Sequence, residues 1–126
     1  MSLLNLNLLL VDDSLIARRI EQEILESIGF NVDTAIDGLD ALAKLDAESY
    51  DIVITDLEMP RLDGFGLVRR MRNQARYEDI PILIISTRES AEDRMRGLEA
   101  GADAYLVKQQ LDGEGLMKSI NMLVGH

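Results

Sequence analysis

Tyr50-Asp51-Ile52-Val53-Ile54-Thr55-Asp56-Leu57-Glu58-Met59-Pro60 is a run of β-branched apolar residues that stops on a carboxylate. Ile52, Val53 and Ile54 predict a strand covered on both faces, the pattern of a central parallel strand. Asp56 then stands at the strand's carboxyl end, where open α/β sheets place their ligand sites. Pro60, Asp63 and Gly64 mark the loop that follows. A lone strand-end aspartate is as readily a loop cap as a functional group. Asp56 is not alone: Asp12-Asp13 ends a second apolar run and Lys108 a third. Parallel strands would bring these ends to one rim of one sheet.

Leu6 to Val11 reads as the first strand, ended by Asp12-Asp13. A helix follows from Ser14, with Ala17, Ile20, Ile24 and Ile28 as its apolar stripe and Glu21, Gln22, Glu23 and Glu26 facing solvent. Gly29 is its expected stop. Asn31 to Ile36 is a second strand, Asp37-Gly38 a turn, and Leu39, Leu42 and Leu45 one face of a helix running to about Glu48. After the Asp56 strand, Phe65, Val68 and Met71 mark a third helix with Arg69, Arg70 and Arg72 solvated around it. Pro81 introduces a buried strand, Ile82 to Ile85, ended by Ser86-Thr87. Ser90 to Ala100 is a helix stopped by Gly101, Ala104 to Val107 a strand ended by Lys108, and Leu111 to Val124 a last helix with Leu116, Ile120 and Leu123 inward. Asn73 to Asp79 is the one softer, polar connection. Five strand–helix repeats with short loops imply a parallel sheet with helices on both faces.

The 126 residues have the size of one ordinary domain, taken as residues 1–126. With 47% hydrophobic but only 4% aromatic residues, the core must be aliphatic. The absence of Cys excludes disulfides and thiolate metal sites and fits a reducing, cytoplasmic setting. No apolar run approaches the ~18 residues of a membrane span. The net charge of −10 argues against non-specific nucleic-acid binding. Residues 1–3 and 125–126 are candidates for vector-derived ends, which would make the chain a fragment of a longer protein.

Asp12, Asp13 and Asp56 on one rim repel one another unless a cation sits among them. Oxygen ligands without His or Cys suit a hard ion, Mg²⁺ first. A metal beside a carboxylate able to attack phosphorus is phosphoryl-transfer chemistry. Ser86 offers a hydroxyl and Lys108 an ammonium for the oxygens of an arriving phosphoryl group. Each residue also has a plainer reading: helix capping for Asp12-Asp13, a turn for Ser86, solvated surface for Lys108. Their joint occurrence at the ends of four strands favours the site.

Val11-Asp12-Asp13-Ser14, Thr55 to Pro60, Asp63-Gly64, Ile85-Ser86-Thr87, Gly101 to Tyr105 and Val107-Lys108 together resemble the receiver domain of two-component response regulators, of the chemotaxis-regulator type. The resemblance covers almost the whole chain and implies a flavodoxin-like (βα)5 three-layer sandwich with strand order 2-1-3-4-5. It implies that Asp56 accepts a phosphoryl group from a phosphohistidine on a histidine kinase or phosphotransfer domain. Asp13, Asp56 and the backbone carbonyl of Glu58 would bind Mg²⁺, with Asp12 acting largely through a metal-bound water. Ser86 and Tyr105 would be the switch pair, presenting the face of the fourth helix, fifth strand and fifth helix to a downstream protein. Glu58 and Arg88 would flank the path of water to phosphorus, either as an ion pair across the mouth or with Arg88 in solvent. Leu15 and Ile16 would either form an apolar handle for the donor or tuck under the loop after the fifth strand.

A haloacid-dehalogenase-like phosphatase also forms an aspartyl-phosphate, but it asks for an Asp two places after the nucleophile on the first strand's loop. Here that place is Glu58 on the third, and there is no room for a cap domain. A flavin-binding flavodoxin needs a phosphate loop where Asp12 and Asp13 stand. A pseudo-receiver would not keep both Asp56 and Lys108. The domain is expected to be a phosphoacceptor switch with self-catalysed transfer and autodephosphorylation, not a conventional enzyme. Its parent is either a stand-alone chemotaxis-type regulator or a hybrid histidine kinase. The second pattern is suggested by Gln109-Gln110-Leu111-Asp112 where most receivers place Pro after the Lys, and a Gln peptide is far less readily cis.

Overall fold

The computed structural model describes residues 5–108 and 112–124. Ten elements alternate: β1 (Asn7–Val11), α1 (Leu15–Ile28), β2 (Asn31–Ala35), α2 (Gly38–Ala47), β3 (Ile52–Asp56), α3 (Gly64–Arg72), β4 (Ile82–Ser86), α4 (Ala91–Ala100), β5 (Ala104–Val107) and α5 (Gly113–Leu123). The strands form one parallel sheet in the order β2-β1-β3-β4-β5, the expected flavodoxin-like arrangement.

Strand residues alternate between two cores. Leu8, Leu10, Ile52, Ile54, Leu83 and Ile85 pack with Leu25 of α1 and Leu116 and Ile120 of α5. Leu9, Val11, Val53, Ile82 and Ile84 pack on the other face with Leu45, Phe65, Val68 and Met71. Side chains at the helix entrances fix where each helix begins. Ser14, Asp37, Asp63, Ser90 and Asp112 each accept a hydrogen bond from the backbone N–H three residues on. Gly29 and Gly101 end α1 and α4 at φ of 123° and 122°, a region costly for any side chain. At Gly64 the reason is contact: a Cβ there would collide with the Asp56 carbonyl oxygen. Glycine thus lets α3 start directly behind the loop that carries Asp56.

Three expectations need correction. In α1 Ile24 and Ile28 of the expected stripe do pack against the core, but Ile20 is 52% exposed, and Glu21 and Leu25 are the buried positions. Glu21 can face inward because it meets polar groups at the end of the sheet, described below. In α2 Leu45 is buried and Leu42 packs against the core as expected, but the other fully buried positions are Gly38 and Ala41, and Leu39 is 38% exposed. Arg72 is not solvated. Its Nε donates to the Gly101 carbonyl (2.8 Å), its Nη1 to the carbonyls of Tyr77, Glu78 and Ile80, and its Nη2 to Asp103 (2.8 Å). Asp103 also accepts from the Ile82 N–H. The polar connection after α3 is therefore tied down, and Tyr77 within it is buried with its hydroxyl on Asp46. The Lys108–Gln109 peptide, Leu111 and the two termini named above lie outside the described residues.

Candidate functional site at the carboxyl edge of the sheet

The register places the site. Val11 pairs with Thr55, so Asp12 and Asp56 leave neighbouring strands side by side. Ser86 pairs with Val107, which brings Ser86 and Lys108 to the same end. Oxygens of Asp12, Asp13 and Asp56 lie within 4.8 Å of one another. Asp12 is buried, Asp13 exposed and Asp56 between the two. The Lys108 ammonium bridges them, 3.0 Å from Asp12 Oδ2 and 3.4 Å from Asp56 Oδ2. Backbone N–H groups hold the carboxylates: Ser14 donates to Asp12 Oδ1 (2.9 Å) and Leu57 to Asp56 Oδ1 (2.7 Å). Arg18 Nη1 donates to the Asp12 carbonyl (2.9 Å).

A residue that sequence reasoning sent to solvent joins this group. Glu21 Oε2 lies 3.8 Å from the Lys108 ammonium. Burial, with the Asp12 charge and a hydrogen bond to Asp12, pushes the Glu21 carboxyl up to about 8. The same forces act on Asp56: burial raises its pKa above the ordinary carboxylate value, Lys108 pulls against it and Asp12 adds to it. For Lys108, burial opposes the charge, but Asp56, Asp12 and Glu21 outweigh it and hold the ammonium above its usual value. The signal for Glu21 lay in the phase of α1: a wheel drawn through Leu25 and Ile28, rather than Ile20, turns residue 21 inward.

The remaining expected residues lie on β4 and β5, at the start of α1, and in the segments that follow β3 and β4. Ser86 is buried and its Oγ accepts from the Arg88 N–H (3.1 Å). The Tyr105 hydroxyl donates to the Arg88 carbonyl (2.9 Å). The Arg88 side chain does not enter solvent alone: Nε donates to Glu58 Oε1 (2.8 Å) and Nη1 to Asp93 Oδ1 (3.3 Å). Glu58 bonds hold the guanidinium above its usual pKa. Leu15 and Ile16 are both exposed, at 53% and 74%, so neither tucks away.

Three close carboxylates with only oxygen donors fit a hard divalent cation such as Mg²⁺ better than a soft metal. The cluster, its lysine and its flanking hydroxyl can do phosphoryl chemistry: one carboxylate as nucleophile, and cationic and hydroxyl groups for the transferred oxygens.

Residues 8–121 match the family described as the response regulator receiver domain. The chain is 47% identical over 118 residues to a gliding motility regulatory protein of Myxococcus xanthus, covering 94% of this chain but 15% of that protein. It is 36% identical over 103 residues to protein PilG of Pseudomonas aeruginosa, covering 82% of this chain and 76% of PilG. Among solved structures it resembles chemotaxis protein CheY4 of Vibrio cholerae, with a TM-score of 0.88, 36% identity, and 94% and 98% of the two chains covered. It also resembles the receiver domain of a sensor histidine kinase of Pseudomonas aeruginosa PAO1, solved with magnesium coordinated in its active-site cleft. There the TM-score is 0.89, the identity 27%, and the coverage 97% and 99%.

Proposed function

Because this chain belongs to the response regulator receiver family, whose domains are phosphoacceptor switches of two-component signalling, we propose that Asp56 is its acceptor and that a phosphohistidine is the donor. The observation that carries this reading is the Lys108 ammonium lodged between Asp12 and Asp56 inside the carboxylate cluster. An Asp56 carboxylate oxygen attacks phosphorus, forming a P–O bond as the P–N bond breaks. The electron pair of the broken bond stays on the imidazole nitrogen, which takes up a proton. Lys108 turns from carboxylate to phosphoryl oxygens and offsets their charge. Asp13, Asp56 and the Glu58 carbonyl would hold Mg²⁺, with Asp12 acting through a bound water. When bound, the ion neutralises phosphoryl oxygens so that one anion can approach another.

Arg88 links this event to the surface. Its N–H holds the Ser86 hydroxyl and its carbonyl holds Tyr105. A Ser86 hydroxyl drawn to the phosphoryl group releases the first bond and moves the peptide that anchors the second. Tyr105 then changes rotamer, and the face of α4, β5 and α5 is remodelled for a downstream protein. The exposed Leu15 and Ile16 suit contact with the donor's helices. The chain spans 15% of the gliding motility relative and 76% of PilG. Either a hybrid kinase or a short regulator is thus a suitable parent, and a cytoplasmic setting for this domain suits both.

The test is phosphorylation by acetyl phosphate with Mg²⁺. Wild type should be phosphorylated, Asp56→Asn should not, and Asp13→Asn should bind Mg²⁺ at least tenfold more weakly, on the order of the loss expected for a metal ligand. Equal phosphorylation of wild type and Asp56→Asn would overturn the assignment.

A further inference from the structure

Glu21 is 2% exposed, one turn before Leu25 in the layer that α1 shares with Leu116 and Ile120 of α5. An apolar side chain would continue that layer, so packing alone gives no reason for a carboxyl. A buried polar group is costly unless it is hydrogen-bonded. Glu21 meets Asp12 and Lys108, the latter at 3.8 Å. The phosphoryl reaction described above uses Asp12, Asp56 and Lys108 but has assigned Glu21 nothing.

We propose that Glu21 is a positioning residue for Lys108: with Asp12 it forms a buried carboxyl pair that keeps the ammonium at the rim while its contact to Asp56 is exchanged for a phosphoryl oxygen. Lysine carries its charge on a long flexible stem with no planar fork to fix direction. In the resting site three acids surround the Nζ, at 3.0, 3.4 and 3.8 Å. Of these contacts, the proposed reaction exchanges the one to Asp56. Asp12 is also committed to the cation pocket, which leaves Glu21 as the acid dedicated to the lysine. This role rests on Asp56 being the acceptor.

Glu21→Gln keeps the length, a carbonyl for Lys108 and an amide N–H for Asp12. Glu21→Met keeps the length and removes both, and an apolar replacement of a buried acid is often neutral or stabilising. With acetyl phosphate the maximal rate should fall about ten- to a hundredfold in Met, while the half-saturating donor concentration stays within about twofold. Gln should recover the rate to within about threefold. Independently of phosphorylation, the Lys108 ammonium ¹H–¹⁵N resonance of metal-free protein, assigned by its loss in Lys108→Arg, should be narrow in wild type and Gln and exchange-broadened in Met. Should Met fail to fold, Glu21→Asp, which withdraws the carboxyl by one methylene, should show both losses. A wild-type rate and a narrow resonance in Met or Asp would overturn the proposal, as would equal slowing in Gln and Met. Phosphorylation of Asp56→Asn would instead overturn the acceptor reading, and the resonance would still judge Glu21.

Discussion

Arg88 joins three parts of the site: its guanidinium to Glu58 and Asp93, its N–H to Ser86 and its carbonyl to Tyr105. The exposed ion pair contributes little to stability. Its expected effect is on timing, because a long side chain pinned over the mouth obstructs in-line attack by water. Arg88→Ala should raise the autodephosphorylation rate by roughly threefold to tenfold, with the urea midpoint nearly unchanged. Equal lifetimes in Arg88→Ala, Glu58→Ala and wild type would remove the pair from that role. Asp37 supplies a pH dependence. It is buried, and although burial raises its pKa, the Asp40 N–H and Arg61 outweigh this and hold it below the usual value. A carboxyl depressed in the folded state adds stability above its unfolded pKa and loses it as pH falls through the folded value. Asp37→Asn keeps the cap but loses the ion pair. It should be less stable by about 1 kcal/mol at neutral pH, and its stability should fall less steeply below about pH 4. Urea titrations across that range check this, and parallel profiles would contradict it. The strand-end residues Asp12, Asp13, Asp56, Ser86 and Lys108 were legible because a parallel sheet delivers its carboxyl ends to one place. Glu21 was not read, since Ile20 and Glu21 both fit a helical stripe through Ile24 and Ile28, and only the choice of Leu25 as a wheel position separates them.

At the scale of elements, strands and helix stops were readable from apolar runs, capping side chains and glycines. Two of the misreadings, Glu21 and Arg72, came where a polar residue had a distant partner. Arg72 seemed one of a solvated trio, yet it binds carbonyls from 77, 78, 80 and 101 and the carboxylate of Asp103. Nothing within α3 announces those partners, which lie in the following loop and beyond α4. Arg72→Met should cost on the order of 2 kcal/mol, and Arg72→Lys should recover little of it because an ammonium lacks the planar fork. Urea unfolding with amide exchange over residues 73–80 measures both, and unchanged protection there would show that the loop holds itself.

Among the described residues, one sheet carries two mostly aliphatic cores, one on each face, and gathers its acidic cluster at its carboxyl edge. Paired strands hold the acids, and under the proposed switch the segment expected to respond is the β4–α4 connection. α4 has only Gly97 buried, so it is the helix most weakly tied to a core and the natural one to shift. Beryllofluoride with Mg²⁺, a phosphoryl mimic, should change amide exchange over residues 88–100 and at Tyr105 while leaving β1 and β3 as they are. Identical exchange with and without the mimic would contradict a conformational switch. The central claim, that Asp56 is the phosphoacceptor, is most directly read by chemistry on the phosphorylated protein. Borohydride reduces an acyl phosphate to the alcohol, so peptide mass spectrometry after phosphorylation and reduction should find homoserine at position 56 and nowhere else. Homoserine at position 12 or 13, or an unreduced Asp56 in protein that has taken up phosphate, would contradict it.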